Sequence, residues 1–207
     1  MTPQPLTRST LTRPFSRVDI VRMATLLPGP FTVEMYHKLG ELGIFDEDDR
    51  VELLDGQIVE MSPIGRAHAA CVTRLNHLLS RRSSADVAVS VQNPIALAGR
   101  WEPQPDIVVV RRPGGFAGAW HPTPQDSLLV IEVADSSLDR DRDVKIPHYA
   151  RTGIPEAWLI DLDGDLITCY RAPRPDGYGE KITVTRGGTL RPVGLPEVEI
   201  EAGEILG

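Results

Sequence analysis

The stretch LLVIEVADSS, residues 128–137, decides how this chain is read. From Leu128 to Ala134 every side chain is apolar except Glu132, and an unbroken apolar run of this length is the pattern of a strand covered on both faces. Strand side chains alternate, so Glu132 is expected to share a face with Leu128, Val130 and Ala134, inside the core that those three help to build. An isolated carboxylate there costs several kcal/mol. It needs a partner, a proton or a metal ion.

Two other acids stand in the same relation to apolar runs. In EPQPDIVVV, Asp106 heads a strand whose Val108 and Val110 share its face, and in DRVELLDG, Glu52 lies between Val51 and Leu53. If the strands of Asp106 and Glu132 are neighbours, their side chains converge at the roughly 4–6 Å that a shared hard cation such as Mg²⁺ requires. Without a cation the two would repel and one would hold a proton. A single strand-edge acid is ordinarily solvated or paired with an arginine. The joint pattern, Pro105-Asp106 before one apolar strand and Glu132 inside the next, favours metal-dependent phosphodiester chemistry.

The rest of the chain supplies a frame for these strands. Thr32 is a candidate N-cap for a helix over TVEMYHKLGELG that ends near Gly43. VELLDGQIVEM reads as a hairpin turned at Asp55-Gly56. Between Gly65 and Arg82, Ala69, Val72, Leu75 and Leu79 fall at helical spacing. VAVSVQNPIAL and DIVVV read as strands, and residues 111–126, rich in Gly and Pro, as an exposed connection. After the opening strand, Pro147 predicts a helix beginning close to Lys145, with Gly153 at its C-terminus. EAWLIDL and LITCYR form strands about a turn at Asp163-Gly164, and short strands follow. The order predicts an α/β fold, a mixed β-sheet flanked by helices.

Composition bounds the function. At 207 residues, 41% hydrophobic and 25% charged, the chain suffices for one sizeable core. We expect residues 1–28 to be a flexible extension and 29–207 a single domain. No apolar stretch is long enough for a membrane span, and the N-terminus lacks a secretory signal's apolar centre, so a cytoplasmic protein without membrane association is expected. Cys71 and Cys169 have no partner at zinc spacing and read as buried free thiols. The net charge of −7 argues against a protein that coats nucleic acid. It leaves room for an enzyme that meets a phosphate locally, through a metal ion and a few arginines. Residues 1–22 are locally basic, with Arg8, Arg13, Arg17 and Arg22 against Asp19.

Pro105-Asp106 followed by Glu132 resembles the PD-(D/E)XK nuclease pattern, and IEVADSSLDRDRDVKIPHYARTGIPEAWLID closely resembles the Uma-type family assigned to the restriction endonucleases. The likeness extends to FTVEMYHKLGELGIFDEDDRVELLDGQIVEMSPIGRAHAACVTRLNHLL and to NPIALAGRWEPQPDIVVV, about residues 30 to 200. It implies a restriction-endonuclease-like fold and Mg²⁺-dependent cleavage of DNA, with Mn²⁺ as a substitute ion. Asp106, Glu132 and Glu52 would be the metal ligands. In the general pattern a lysine stands two residues after the Glu, where this chain has Ala134. The Uma-type family is similar in lacking it there and carrying a lysine on the following helix, which corresponds to Lys145. A long ammonium side chain can reach the same point from that direction, and Asp141, four residues earlier, is placed to hold it. From spacing alone a lysine in so charged a stretch would simply be solvated. His68 matches a histidine typical of the family, and an outer-shell contact to Glu52 or to the scissile phosphate is expected of it. Cleavage of both strands of a duplex normally needs two sites, hence an expected homodimer. The rival reading is a non-catalytic nuclease-fold module for binding or assembly, consistent with the acidic balance and with Asp143. A hydrolase of a smaller phosphoester is a weaker third.

Overall fold

The computed structural model describes residues 30–45, 49–97, 99–112 and 121–207. The expected extension 1–28 and residues 113–120 of the Gly/Pro-rich connection lie outside the described residues. Helix α1 (Val33–Glu41) starts where Thr32 Oγ1 accepts the Met35 N–H at 3.2 Å, and Gly43, at φ +69°, follows its last turn. Strands β1 (Val51–Leu54) and β2 (Gln57–Glu60) pair antiparallel across Asp55-Gly56, whose φ values of +47° and +77° belong to the tight turn that matches strand twist. Phe31, Val51, Leu53 and Ile58 form a small core beneath α1.

Helix α2 (Arg66–Arg82) buries Cys71, Val72, Leu75 and Leu79. Ala69, expected on that stripe, is exposed. The first turn of α2 borders the pocket described below instead of lying on the sheet.

Strands β3 (Val87–Val91), β4 (Ile107–Arg111), β5 (Ser127–Ala134), β6 (Glu156–Asp161), β7 (Leu166–Arg174) and β8 (Gly177–Thr185) form one sheet in sequence order. Strand β3 is shorter than the apolar run suggested, because Gln92 turns to φ +51° and ends it. Neighbouring pairs are antiparallel except β5 and β6. A parallel pair needs a crossover, and the helical segment 138–151 supplies it.

One face of the sheet carries Ile107, Val109, Leu129, Ile131, Val133, Trp158 and Ile160 against the buried residues of α2. The other carries Val108, Val130, Ala134 and Leu159 against Ile146 and Tyr149. Both cysteines are free and buried.

Two local expectations change. Leu128 does not share the face of Glu132. The register between β4 and β5 shifts at Val109/Val110, Leu128 is the extra residue of the bulge, and it packs on the α2 side. The crossover helix begins seven residues before Lys145: α3 (Leu138–Arg140) runs through a π-helical turn (Asp141–Lys145) into α4 (Ile146–Arg151). The wide turn, in which the Ile146 N–H reaches back to the Asp141 carbonyl, is what accommodates Pro147 within a continuous helix. The C-terminal part adds a two-stranded ladder, β9 (Thr189–Leu190) with β10 (Ile200–Glu201), and a short helix α5 (Ala202–Leu206).

Candidate active site

Strand pairing creates the site. Ile107 lies opposite Ile131, so one step further along the antiparallel ladder Asp106 lies opposite Glu132 on the α4 face. Glu132 enters this face between Val130 and Ala134 and is 2% exposed. The π-helical turn brings Asp141 and Lys145 over it, and Glu52 arrives from β1. All four are buried, as is Asp106.

Lys145 sits among the carboxylates. Its Nζ lies 2.9 Å from Glu52 Oε2, 3.4 Å from Glu132 Oε1 and 3.7 Å from Asp141 Oδ1. Glu132 also accepts the Tyr149 hydroxyl at 2.5 Å. Glu52 accepts the Gln104 N–H at 3.1 Å, and Asp141 accepts the Ser137 hydroxyl at 2.5 Å. Asp106 stands apart from the lysine: its Oδ2 accepts the Val133 N–H at 2.9 Å, and its Oδ1 accepts Gln92 Nε2 at 3.1 Å and lies 3.0 Å from His68 Nε2. The pocket opens past Met61, Ser62, Gly65 and Ser136.

These surroundings push the acids apart. Burial raises the Glu132 carboxyl well above its ordinary range; Lys145 opposes that, and Asp141, Asp106 and Glu52 add to it. Asp141 is raised as well, chiefly by burial, against the pull of Lys145 and Ser137. Burial acts the same way on Asp106, but His68, the Val133 N–H and Gln92 together outweigh it and leave that carboxyl below its usual value. For Lys145 burial disfavours the charge, yet Glu132, Glu52 and Asp141 more than compensate, and the ammonium is held firmly protonated. Burial and the neighbouring Glu132 keep the Tyr149 phenol neutral. Four buried carboxylates thus share one pocket with one ammonium.

Of the residues singled out in the sequence, Glu52, Glu132, Lys145 and Asp141 meet at the ammonium, and Asp106 and His68 meet beside them. The contact of His68 is to Asp106, not to Glu52. Glu52 is turned toward Lys145 and Gln104, on the other side of the pocket. Gln92, Gln104 and Tyr149 were missed. Tyr149 had a signal, since it follows Lys145 by four residues and so shares its helical face. The two glutamines had none, because their roles depend on where a loop returns. Oxygen donors of this kind suit a hard divalent cation. Among the described residues, however, no three His, Cys, Asp or Glu side chains converge at metal-holding distance. Glu52 and Glu132 close on Lys145 instead.

A mixed six-stranded sheet flanked by helices, with Asp106 and Glu132 brought opposite each other by the adjacent strands β4 and β5, is a nuclease-type α/β fold. A crystal structure described as that of "a putative nuclease belonging to DUF820" from Anabaena variabilis superposes with a TM-score of 0.64 at 19% identity, over 86% of this chain and 98% of the other. A family model described as "Putative restriction endonuclease" matches residues 33–203, and the chain belongs to that family, Uma2. No curated protein matches the sequence. Among the described residues no helix is long and apolar enough to cross a membrane.

Proposed function

We propose that the pocket is the active site of a divalent-cation-dependent endonuclease that hydrolyses DNA phosphodiester bonds. One observation carries the reading. Three buried carboxylates close on a single ammonium, with Asp106 and its partner His68 beside them, and the cluster at Lys145 alone carries a formal excess of two negative charges that a folded protein does not keep in its interior without protons or a further cation. Asp106 and Glu132, with Glu52 and the Val133 carbonyl, would hold Mg²⁺, or Mn²⁺ in its place. A bound divalent cation supplies Lewis-acid stabilisation of the phosphate and a water of lowered pKa. His68, Gln92 and the Val133 N–H fix the Asp106 carboxylate in its ionised form. Tyr149 fixes the rotamer of Glu132. Lys145 cannot act as a base while three acids hold its proton, so its part is that of a positive charge near the phosphate oxygens.

Plasmid nicking with and without Mg²⁺ tests the reading, with Glu132→Gln as the comparison. The variant should lose cleavage and the calorimetric signal of Mg²⁺ binding while retaining its thermal midpoint. Undiminished cleavage would refute the role of Glu132. A second reading has its own support: Lys145 already occupies the centre of the carboxylates, as it would in a non-catalytic module that keeps the fold for binding or assembly. Titration with Mg²⁺ or Mn²⁺ that gives no binding in the parent chain or in Asp106→Asn favours the module. A homodimer, one site per DNA strand, belongs to the first reading and is checked by sedimentation.

A further inference from the structure

An acidic floor repels a polyanion, so an enzyme of this kind needs positive charge where its substrate enters. Several of the described arginines are spent elsewhere. Arg82, Arg100, Arg111, Arg142, Arg171 and Arg186 each have a carboxylate partner. The two arginines at the mouth of the pocket differ. Arg50 donates Nη1 to the Ser62 carbonyl at 3.0 Å, and Arg140 donates Nη1 to the Glu60 carbonyl at 3.4 Å. Neither forms a salt bridge with a described acid.

Both guanidiniums are half-buried and tied to one short segment, residues 60–62, although one precedes β1 and the other ends α3. Each uses one of its five donors on a carbonyl, which leaves the fork oriented with its charge unspent. Among the described residues that line the pocket, Asp135 is the acid at the mouth, and two guanidiniums against its one carboxylate leave the rim positive while the floor is negative. The N-terminus of α2 lies on the same rim and is faced by the Asp135 carboxylate, which packs against Gly65.

We propose that Arg50 and Arg140 form a phosphate clamp at the mouth of the pocket that binds the backbone of the DNA strand entering it. The inference rests on the nuclease reading and adds how an acidic protein holds its substrate. Contacts of this type place the strand and carry no base information. Their signature is electrostatic: each phosphate neutralised contributes about −0.9 to the slope of log K against log salt concentration.

The test is anisotropy of a fluorescein-labelled DNA duplex against the full chain at several salt concentrations, with Ca²⁺ in place of Mg²⁺. Arg50→Gln and Arg140→Gln should each flatten the slope by about 0.9, which near 0.1 M salt is about an eightfold loss of affinity relative to the parent. Arg50→Lys and Arg140→Lys, which keep the charge, should restore the slope even where they disturb the carbonyl contact. Arg81→Gln, on the exposed side of α2, should leave it unchanged. Divalent-ion binding measured without DNA should be the same in all of them. Duplex binding with an unaltered slope in both glutamine variants overturns the clamp and leaves the nuclease reading standing. No duplex binding by the parent chain overturns both.

Discussion

Glu132 and Glu156 lie on neighbouring strands, both buried, and they behave as opposites. Glu156 is fully enclosed, but every oxygen has a donor: Trp158 Nε1 at 2.8 Å and Arg171 Nε at 2.9 Å on one, the Val193 N–H at 2.6 Å on the other. It has its own guanidinium and joins β6, β7 and the chain beyond β8. Glu132 shares its one cation with Glu52 and Asp141, and burial drives its carboxyl upward. A buried acid with a private counter-charge is a structural device. A group of buried acids that outnumbers its cations is maintained by something other than stability, because a single-partner arrangement or an apolar replacement would fold at least as well.

The sharpest way to break this comparison is to remove each cation. Lys145→Met should destabilise the protein by about 3–5 kcal/mol in the absence of divalent ions, since it leaves several buried carboxylates uncompensated. Saturating Mg²⁺ at about 100 times its dissociation constant should return about 2.7 kcal/mol, read as a rise in the denaturant midpoint. Arg171→Met should cost about 3 kcal/mol by uncovering Glu156, and Mg²⁺ should return nothing beyond what it adds to the parent. A common response of the two variants to Mg²⁺ would erase the distinction.

Smaller effects sharpen it. Tyr149→Phe removes the closest donor to Glu132 and should cost about 1–2 kcal/mol. Its effect on Mg²⁺ affinity separates it from Trp158→Phe, which strips a donor from Glu156 and should leave that affinity alone. The weakest effect concerns His148, stacked on Trp101 with ring centroids 3.6 Å apart. Burial, helped by Arg151, lowers its pKa to about 4. The folded chain therefore takes up this proton later than the unfolded chain as the pH falls. Stability from this group is present above about pH 6.5 and is lost toward pH 4. Because the ring is half-exposed, solvent screening limits the loss to about 1 kcal/mol. His148→Phe keeps the stack, and its denaturation midpoint should fall less steeply across that interval.

Much of the frame was legible because it is encoded locally. The Asp55-Gly56 hairpin, the Thr32 cap and the apolar runs of β4, β5 and β6 are each decided within a few residues. The acids were legible for a related reason: a carboxylate inside an apolar strand is anomalous wherever it stands. Three things were not. Leu128 changes face because the bulge is a property of the β4–β5 pair, invisible in either strand. The helix before Lys145 extends back to Leu138 because a π-helical turn absorbs Pro147, which propensity alone reads as a start. Glu156 passed unnoticed at the head of EAWLID, where an acid looks solvated until Arg171 and the Val193 N–H are found around it.

The amino-acid sequence alone determined that Glu52 and Glu132 stand within apolar strands, that Asp106 heads one, and that Asp141 precedes Lys145 by four residues, since alternation and spacing are properties of single segments. Only the tertiary structure decided which of these groups touch. The antiparallel register sets Asp106 against Glu132, and the crossover between the parallel strands β5 and β6 swings Lys145 over them. Distances between side chains far apart in sequence follow from strand pairing and core packing, and it is those distances that leave one ammonium among three buried carboxylates, with Asp106 beside them.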